Sequence, residues 1–205
     1  MEQLINKLFV SLLLTLGISG LAHAEGDAAA GQGKIAMCSA CHNADGNSTL
    51  PNFPKLAGQG QRYLYKQMLD IKSGERPIVE MTGMLDAMTD QDLQDIAAWY
   101  NSQKGTIGAA APDLVKRGGE LFQGGKLEDG MPACIGCHTP TGEGIDSAIY
   151  PKLNGQHAAY TAKQLTDFRE GDRANDGEAM IMRTIAAKLS NKDIKAISSY
   201  IQGLN

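Results

Sequence analysis

Two short cysteine-containing motifs are the parts of this sequence best suited to chemistry. The sequence C-S-A-C-H occupies residues 38–42, and C-I-G-C-H occupies residues 134–138. In such a motif the two thiols can form thioethers with the vinyl groups of haem, and the adjacent histidine can ligate the iron. The motifs therefore predict two covalently bound haem c groups. The predicted attachment residues are Cys38, Cys41, Cys134 and Cys137, and the predicted axial iron ligands are His42 and His138.

Other uses of the four cysteines fit the sequence less well. A redox-active disulfide of the thioredoxin type would need a βαβ setting, and no strand pattern surrounds either motif. A Cys₄ zinc site would have to bring Cys41 and Cys134 together across 93 residues, and it would leave the histidine of each motif without a role. A chance match at equivalent positions of a repeat is very improbable, so haem attachment is the favoured interpretation.

The motifs belong to an internal repeat that divides the chain into two similar units. The motifs lie 96 residues apart, and the segment P-K-L-A-G-Q at 54–59 recurs as P-K-L-N-G-Q at 151–156, 97 residues later. The glycine-containing, proline-terminated stretch between the units has no helical periodicity and is typical of a linker. We therefore expect one domain at 25–104, a linker at 105–111 and a second domain at 112–205.

Helices are the only regular structure that the sequence predicts. The strongest predictions are the last helix of each unit, because Thr89 and Ser190 each precede an aspartate by three residues, as in a capping box. Apolar residues then recur with helical spacing in both segments. Further helices are expected at 28–37, 61–72, 114–122 and 158–169. The predicted fold class is all-α, with each domain built around its haem.

The second axial ligand decides whether a haem iron only carries electrons or also binds substrates. Methionine raises the potential and closes the coordination sphere, whereas an open position permits catalysis. Aligning the final helices through Asp92 and Asp193, which are 101 residues apart, pairs Met81 with Met182. We therefore predict Met81 and Met182 as ligands, 39 and 44 residues after their histidines. The remaining candidates are interpreted as flexible apolar filler of the core: Met84, Met88 and Met180.

The N-terminus and the charge indicate where the protein works. Lys7 precedes a short apolar run, and Ala22-His-Ala24 is typical of a signal-peptidase site, so export and cleavage after Ala24 are expected. Residues 1–24 contain one acidic and one basic side chain, so the net charge of −4 is unchanged by their removal. This mild acidity gives no support to nucleic-acid binding, which needs a basic surface.

These features together resemble the dihaem cytochrome c4 family of bacterial periplasmic proteins. The resemblance rests on the duplicated C-x-x-C-H motif, the later methionine and the paired P-K-L-x-G-Q segments, and it covers essentially the whole mature chain. It implies two class I cytochrome c domains related by a pseudo-twofold axis, with haem edges facing each other. It also implies electron delivery from a quinol-oxidising complex to a terminal oxidase, with loose association to the membrane surface.

The sequence permits more than one interpretation of several features. The leading functional hypothesis is a non-enzymatic electron carrier, and the alternatives are a dihaem peroxidase or the cytochrome subunit of a dehydrogenase. Tyr63 and Tyr160 occupy equivalent positions and could bind near the haem or point to solvent. His157 has no counterpart in the first unit, where Gly60 stands, and it is interpreted as a surface histidine.

Overall fold

The structure is a computed structural model that describes residues 26–205. The predicted signal peptide lies outside this range. The helices are α1 Ala28–Gln32, α2 Ser39–His42, α3 Gln61–Ser73, α4 Asp90–Ser102, α5 Pro112–Gly124, α6 Ile135–His138, α7 Ala158–Glu170, α8 Ile181–Ala186 and α9 Asn191–Gly203. Short 3₁₀ helices occur at Val79–Met81, Leu127–Asp129 and Asp146–Ala148. Within the described residues β pairing is limited to two isolated bridges, so the prediction of an all-α fold is confirmed.

Both capping boxes form as predicted. The hydroxyl of Thr89 accepts a hydrogen bond from the backbone N–H of Asp92, and the carboxylate of Asp92 accepts one from the backbone of Thr89. Ser190 and Asp193 make the same reciprocal pair at the start of α9. Each pair satisfies backbone donors that the first turn of a helix leaves free. The start of the final helix in each unit is thus determined locally, by two side chains that lie three residues apart.

The first helix is shorter than the sequence indicated. Helix α1 ends at Gln32, whereas the expected helix continued to residue 37. Gly33, a poor helix former, begins a turn, and the Lys34 ammonium lies 2.5 Å from a carboxylate oxygen of Asp95 in α4. This bend redirects the chain toward the first C-x-x-C-H motif. The other long helices agree with their expected ranges to within two residues at each end.

Each half is organised by its final helix. In the first half α1 and α3 pack against α4, and in the second half α5 and α7 pack against α9. In each half, a glycine permits the backbone of one helix to approach that of the final helix closely. A Cβ atom at Gly31 would lie 2.0 Å from the backbone oxygen of Asp95, and one at Gly118 would lie 2.4 Å from that of Ala196. The equivalent helix crossing in both halves reflects the sequence repeat.

The crossing of α5 and α9 leads to a first prediction. Gly118→Ala should destabilise the second half by about 1–3 kcal/mol, because the added methyl group would force two helix backbones apart. Gly124→Ala in the same helix is the matched control, since no atom lies within 4 Å of a Cβ added there. Thermal unfolding of the two haem-loaded variants measures the difference. Equal melting temperatures would contradict the importance of this contact.

None of the helices within residues 26–205 is both long and apolar enough to cross a membrane.

Candidate haem centres

The histidine of the first motif is held in one orientation. Helix α2 places His42 in a buried position, and its Nδ1 lies 2.9 Å from the backbone oxygen of Pro54. A carbonyl oxygen can only accept a hydrogen bond, so Nδ1 carries the proton. In the part of the chain that the structure describes, Nε2 forms no hydrogen bond. This ring nitrogen is therefore the one available to an iron ion.

The second motif repeats this arrangement. His138 is buried at the end of α6, and its Nδ1 lies 2.9 Å from the backbone oxygen of Pro151. Burial lowers the pKa of both histidines, and it outweighs the opposing effect of the hydrogen bond to the proline. A neutral imidazole with a protonated, hydrogen-bonded Nδ1 is the form that binds metal through Nε2, and the second bond fixes the ring orientation.

The four motif cysteines lie in or directly before the short helices α2 and α6. No disulfide joins these four cysteines, which are all partly buried, and Cys38 and Cys134 each pack against the core cluster of their own half. Burial raises the pKa of Cys38, and it raises the pKa of Cys134 to about 11. Within residues 26–205 no three histidine, cysteine or acidic side chains converge on a metal-binding geometry, so the structure gives no support to a shared Cys₄ zinc site.

The methionine candidates fall into different environments. Met81 ends a 3₁₀ helix, Met182 lies in the first turn of α8, and both side chains are partly buried. Met88 packs against the core of the first half, in agreement with its interpretation as filler. Met180 does not agree with that interpretation, because it is 48% exposed and has a left-handed backbone conformation.

The paired P-K-L-x-G-Q segments have two roles that sequence reasoning did not assign. The carbonyl of the first residue in each segment orients the histidine of the C-x-x-C-H motif, as described above. The glutamine that ends each segment binds the other half: Gln156 bonds to the backbone N–H and carbonyl of Lys55, both at 2.9 Å. Gln59 bonds in the same way to Lys152, at 2.7 and 2.9 Å. The recurrence of this glutamine in both segments was the sequence signal that could have indicated a shared role.

A second reciprocal network crosses the interface through two buried arginines. The Arg76 guanidinium donates to Tyr160 Oη at 3.0 Å and to Gln164 Oε1 at 2.8 Å, in the opposite half. Arg173 donates to Tyr63 Oη at 3.1 Å and to Gln67 Oε1 at 2.8 Å. The two tyrosine hydroxyls are thus partners of an arginine across the interface, and they do not point into solvent.

Neither arginine forms an ion pair within 4 Å of a carboxylate in the described residues. Arg76 and Arg173 are only 6% and 7% exposed. A buried positive charge that has only neutral hydrogen-bond partners is costly. The buried carboxylate of Asp70 attracts the Arg76 guanidinium without a direct hydrogen bond, so an anionic group that bonded directly to these guanidiniums would stabilise them further.

The interpretation of His157 as a surface residue was incomplete, because the side chain also contacts the other half. Its side chain is only partly exposed, and Nε2 lies 2.8 Å from the backbone oxygen of Ser48 in the other half. At the equivalent position, a Cβ on Gly60 would lie 2.7 Å from a carboxylate oxygen of Asp146. That oxygen accepts the N–H of Arg62 at the start of α3. The two sides of the interface thus differ because one has room for a side chain and the other does not.

Comparison with known proteins agrees with this geometry. The Cytochrome c family profile matches residues 28–104 and 115–205. A cytochrome c4 from Stutzerimonas stutzeri is 68% identical over 209 residues, which cover 98% of this chain and all of the relative. The chain belongs to the dihaem cytochrome c4 family. The crystal structure of reduced recombinant cytochrome c4 from Pseudomonas stutzeri superposes with a TM-score of 0.87 at 67% identity, covering 88% of this chain and all of that chain.

A more distant relative carries a different name. The thiosulfate dehydrogenase electron acceptor of Stutzerimonas stutzeri strain A1501 is 33% identical over 173 residues, covering 80% of this chain and 76% of the relative.

Membership of the family identifies this chain as a dihaem electron-transfer protein with two covalently bound haem c groups. The free Nε2 of each buried histidine and the two neighbouring thiols fit such groups. When bound, each haem supplies one iron that accepts and releases a single electron.

Proposed function

We propose that this dihaem cytochrome is a periplasmic shuttle that takes electrons from a quinol-oxidising complex and delivers them to a terminal oxidase. The observation that carries the proposal is the duplication of the histidine site within a single, reciprocally bonded pair of domains. Each domain orients its histidine through a proline carbonyl, and the segment that supplies this carbonyl also bonds to the other domain. Two such sites on either side of one interface are suited to electron passage.

The proposal assigns the same ligand set to each domain. Cys38 and Cys41 hold the first haem, with His42 and Met81 as axial ligands. The second haem has its thioether bonds to Cys134 and Cys137, with His138 and Met182 on the iron. Two axial side chains leave no position open for a substrate, so the proposed function involves no catalytic turnover.

The two buried arginines support placing the haems toward the interface. The haem propionates are carboxylates, and they would supply charged hydrogen-bond partners to Arg76 and Arg173, whose described side-chain partners are neutral. We propose that these guanidiniums neutralise propionates and hold the domains in a fixed relation. Domain boundaries at 25–104 and 112–205, with 105–111 as linker, are part of the same proposal.

Reaction with hydrogen peroxide separates a carrier from a dihaem peroxidase. Reduced wild-type protein should be reoxidised by peroxide only slowly, because both irons are closed. Met182→Ala is the positive control, since loss of the methionine opens one iron. Peroxide turnover by the wild type at the rate of this variant would exclude the carrier function. Rapid, cyanide-sensitive oxidation of the wild type by membranes that contain a terminal oxidase would support the proposed acceptor.

A second candidate is an electron acceptor for a periplasmic dehydrogenase. It is favoured by the similarity to the thiosulfate dehydrogenase electron acceptor. Mixing the oxidised cytochrome with a thiosulfate dehydrogenase and thiosulfate tests it directly. Reduction of both haems on the timescale of enzyme turnover would support this role, and failure of reduction would favour the quinol-oxidising complex as donor.

Export and membrane association can be tested together. We propose cleavage after Ala24, so the mature protein should begin at Glu25 and be released from cells by osmotic shock. Mass spectrometry of the released protein gives the N-terminus. Recovery in the membrane fraction that is reversed by salt would indicate the loose peripheral association expected of the family.

A further inference from the structure

The segment that leads to the second methionine differs from its counterpart. Met81 follows Arg76 by five positions along the chain, whereas Met182 follows Arg173 by nine. The four additional residues make this segment longer than the one in the first domain. A longer connection has more conformations available to it unless contacts restrict it. The structure shows such contacts in the second domain.

An aspartate and an arginine close this longer segment into a loop. The carboxylate of Asp176 accepts the Arg183 Nε–H at 2.6 Å and the backbone N–H of Arg183 at 3.0 Å. The same guanidinium donates to the backbone oxygen of Gly177 at 3.1 Å. The Asp176 side chain is only 6% exposed, and charge-assisted bonds of this kind are stronger and more directional than neutral ones. We call this pair the loop clamp.

The loop clamp acts immediately beside Met182. Arg183 follows Met182 directly in α8, and its backbone and its side chain are both bound to Asp176. On the other side, Met180 has a φ of 46°, a left-handed conformation that is unfavourable for a residue with a side chain. Such a conformation persists only when surrounding contacts enforce it. The clamp thus fixes the residue after Met182 and restrains the strained turn before it.

The first domain has no equivalent. Within the described residues 77–87, which include Met81, no side chain forms a hydrogen bond or an ion pair. Backbone turns hold this segment, including bonds from Met81 to Ile78 and from Met84 to Met81. When the domains are aligned through Asp92 and Asp193, Glu75 and Thr82 occupy the positions equivalent to Asp176 and Arg183. This difference allows one haem to serve as an internal control for the other.

We infer that Asp176 and Arg183 are positioning residues that hold the Met182 sulfur at the iron of the second haem. The inference rests on the proposed assignment of Met182 as ligand. Loss of the clamp should leave the attachment motif and His138 unchanged while letting the loop move. The methionine should then leave the iron more often, and an added ligand such as cyanide should enter faster.

The experiment measures cyanide binding to each haem of the oxidised, haem-loaded protein. Asp176→Asn should increase the rate at the second haem by about tenfold, as expected for loss of one charge-assisted hydrogen bond, and it should not change the rate at the first haem. Arg183→Lys keeps the positive charge but loses the guanidinium that donates to both Asp176 and Gly177. It should give a smaller increase in the cyanide-binding rate. Glu170→Gln removes an exposed ion pair of the same domain and should have no effect.

Proton NMR of the reduced protein assigns the haems, because each methionine methyl group next to iron gives its own shifted resonance. Met81→Ala and Met182→Ala identify which resonance belongs to which domain. If the second resonance survives in Met182→Ala, the ligand assignment fails independently of the clamp. If that assignment holds, an unchanged cyanide rate in Asp176→Asn, or an equal increase at both haems, would overturn the clamp. If Asp176→Asn does not fold, the cyanide-binding rates of Arg183→Lys test the clamp in the same way.

Discussion

Met182→Ala should remove the methionine-to-iron charge-transfer band of one haem and lower the potential of that haem by about 0.1 V or more. The size follows from the axial ligand, which sets haem potentials over a range of roughly 0.8 V. Loss of the thioether removes the ligand that raises the potential. Met81→Ala should have the same effect on the other haem, so each variant retains one normal centre.

Met180→Leu is the matched control for this pair. Met180 lies two residues from Met182 but is 48% exposed, so its replacement should leave both bands and both potentials unchanged. Redox titration with optical detection measures all of these quantities in one experiment. A normal spectrum in Met182→Ala, together with a lost band in Met180→Leu, would show that the repeat alignment selected the wrong residue.

The second large effect is expected from the loss of haem attachment. Replacing Cys38 and Cys41 together by alanine should leave the first domain largely unfolded. Its core cluster has only five buried members, which are Ile35, Leu64, Ile96, Ala97 and Tyr100. A domain of this size needs a cofactor or crosslink to supply enough buried apolar surface.

The corresponding double replacement of Cys134 and Cys137 should be less severe. Eight buried residues form the core cluster of the second domain, including the fully buried Leu121, Phe122 and Met131. More residual helix should therefore survive there. Circular dichroism and amide hydrogen exchange measure the difference. Gly136→Ala is the control, because a Cβ there meets no atom within 4 Å and the motif remains intact. Cooperative unfolding of either double variant without haem would refute the central role of the cofactor in the core.

The reciprocal interface could not be derived from the sequence, although its residues are repeated. Gln59 and Gln156 were visible as parts of equal segments, yet a repeat gives no information about which residues of one unit meet the other. The glutamines bond to the backbones of lysines that lie 101 and 93 residues away in the chain. Contacts of this range depend on how two folded domains dock, and no local pattern encodes docking.

His157 and the loop clamp illustrate the same limit. A histidine without a repeat partner was interpreted as a surface residue, but the asymmetry of the interface gives it a contact with Ser48. Asp176 and Arg183 are ordinary charged residues in the sequence, and only the folded loop brings the carboxylate to both the backbone and the side chain of Arg183.

The sequence by itself determined the features whose physical cause is local. The C-x-x-C-H motifs, the two capping boxes and the helical periodicity each depend on residues within a few positions of one another. The methionine pair, selected through the duplication, stays a prediction. Only the tertiary structure decided which carbonyl orients the histidine of each motif, which arginines cross the interface and what holds the Met182 loop. The arginine contacts join segments that are distant in the chain, whereas the histidine–proline bonds and the loop clamp span 7 to 13 residues. No local sequence pattern specifies any of these contacts, because each depends on how the folded loops and helices are placed.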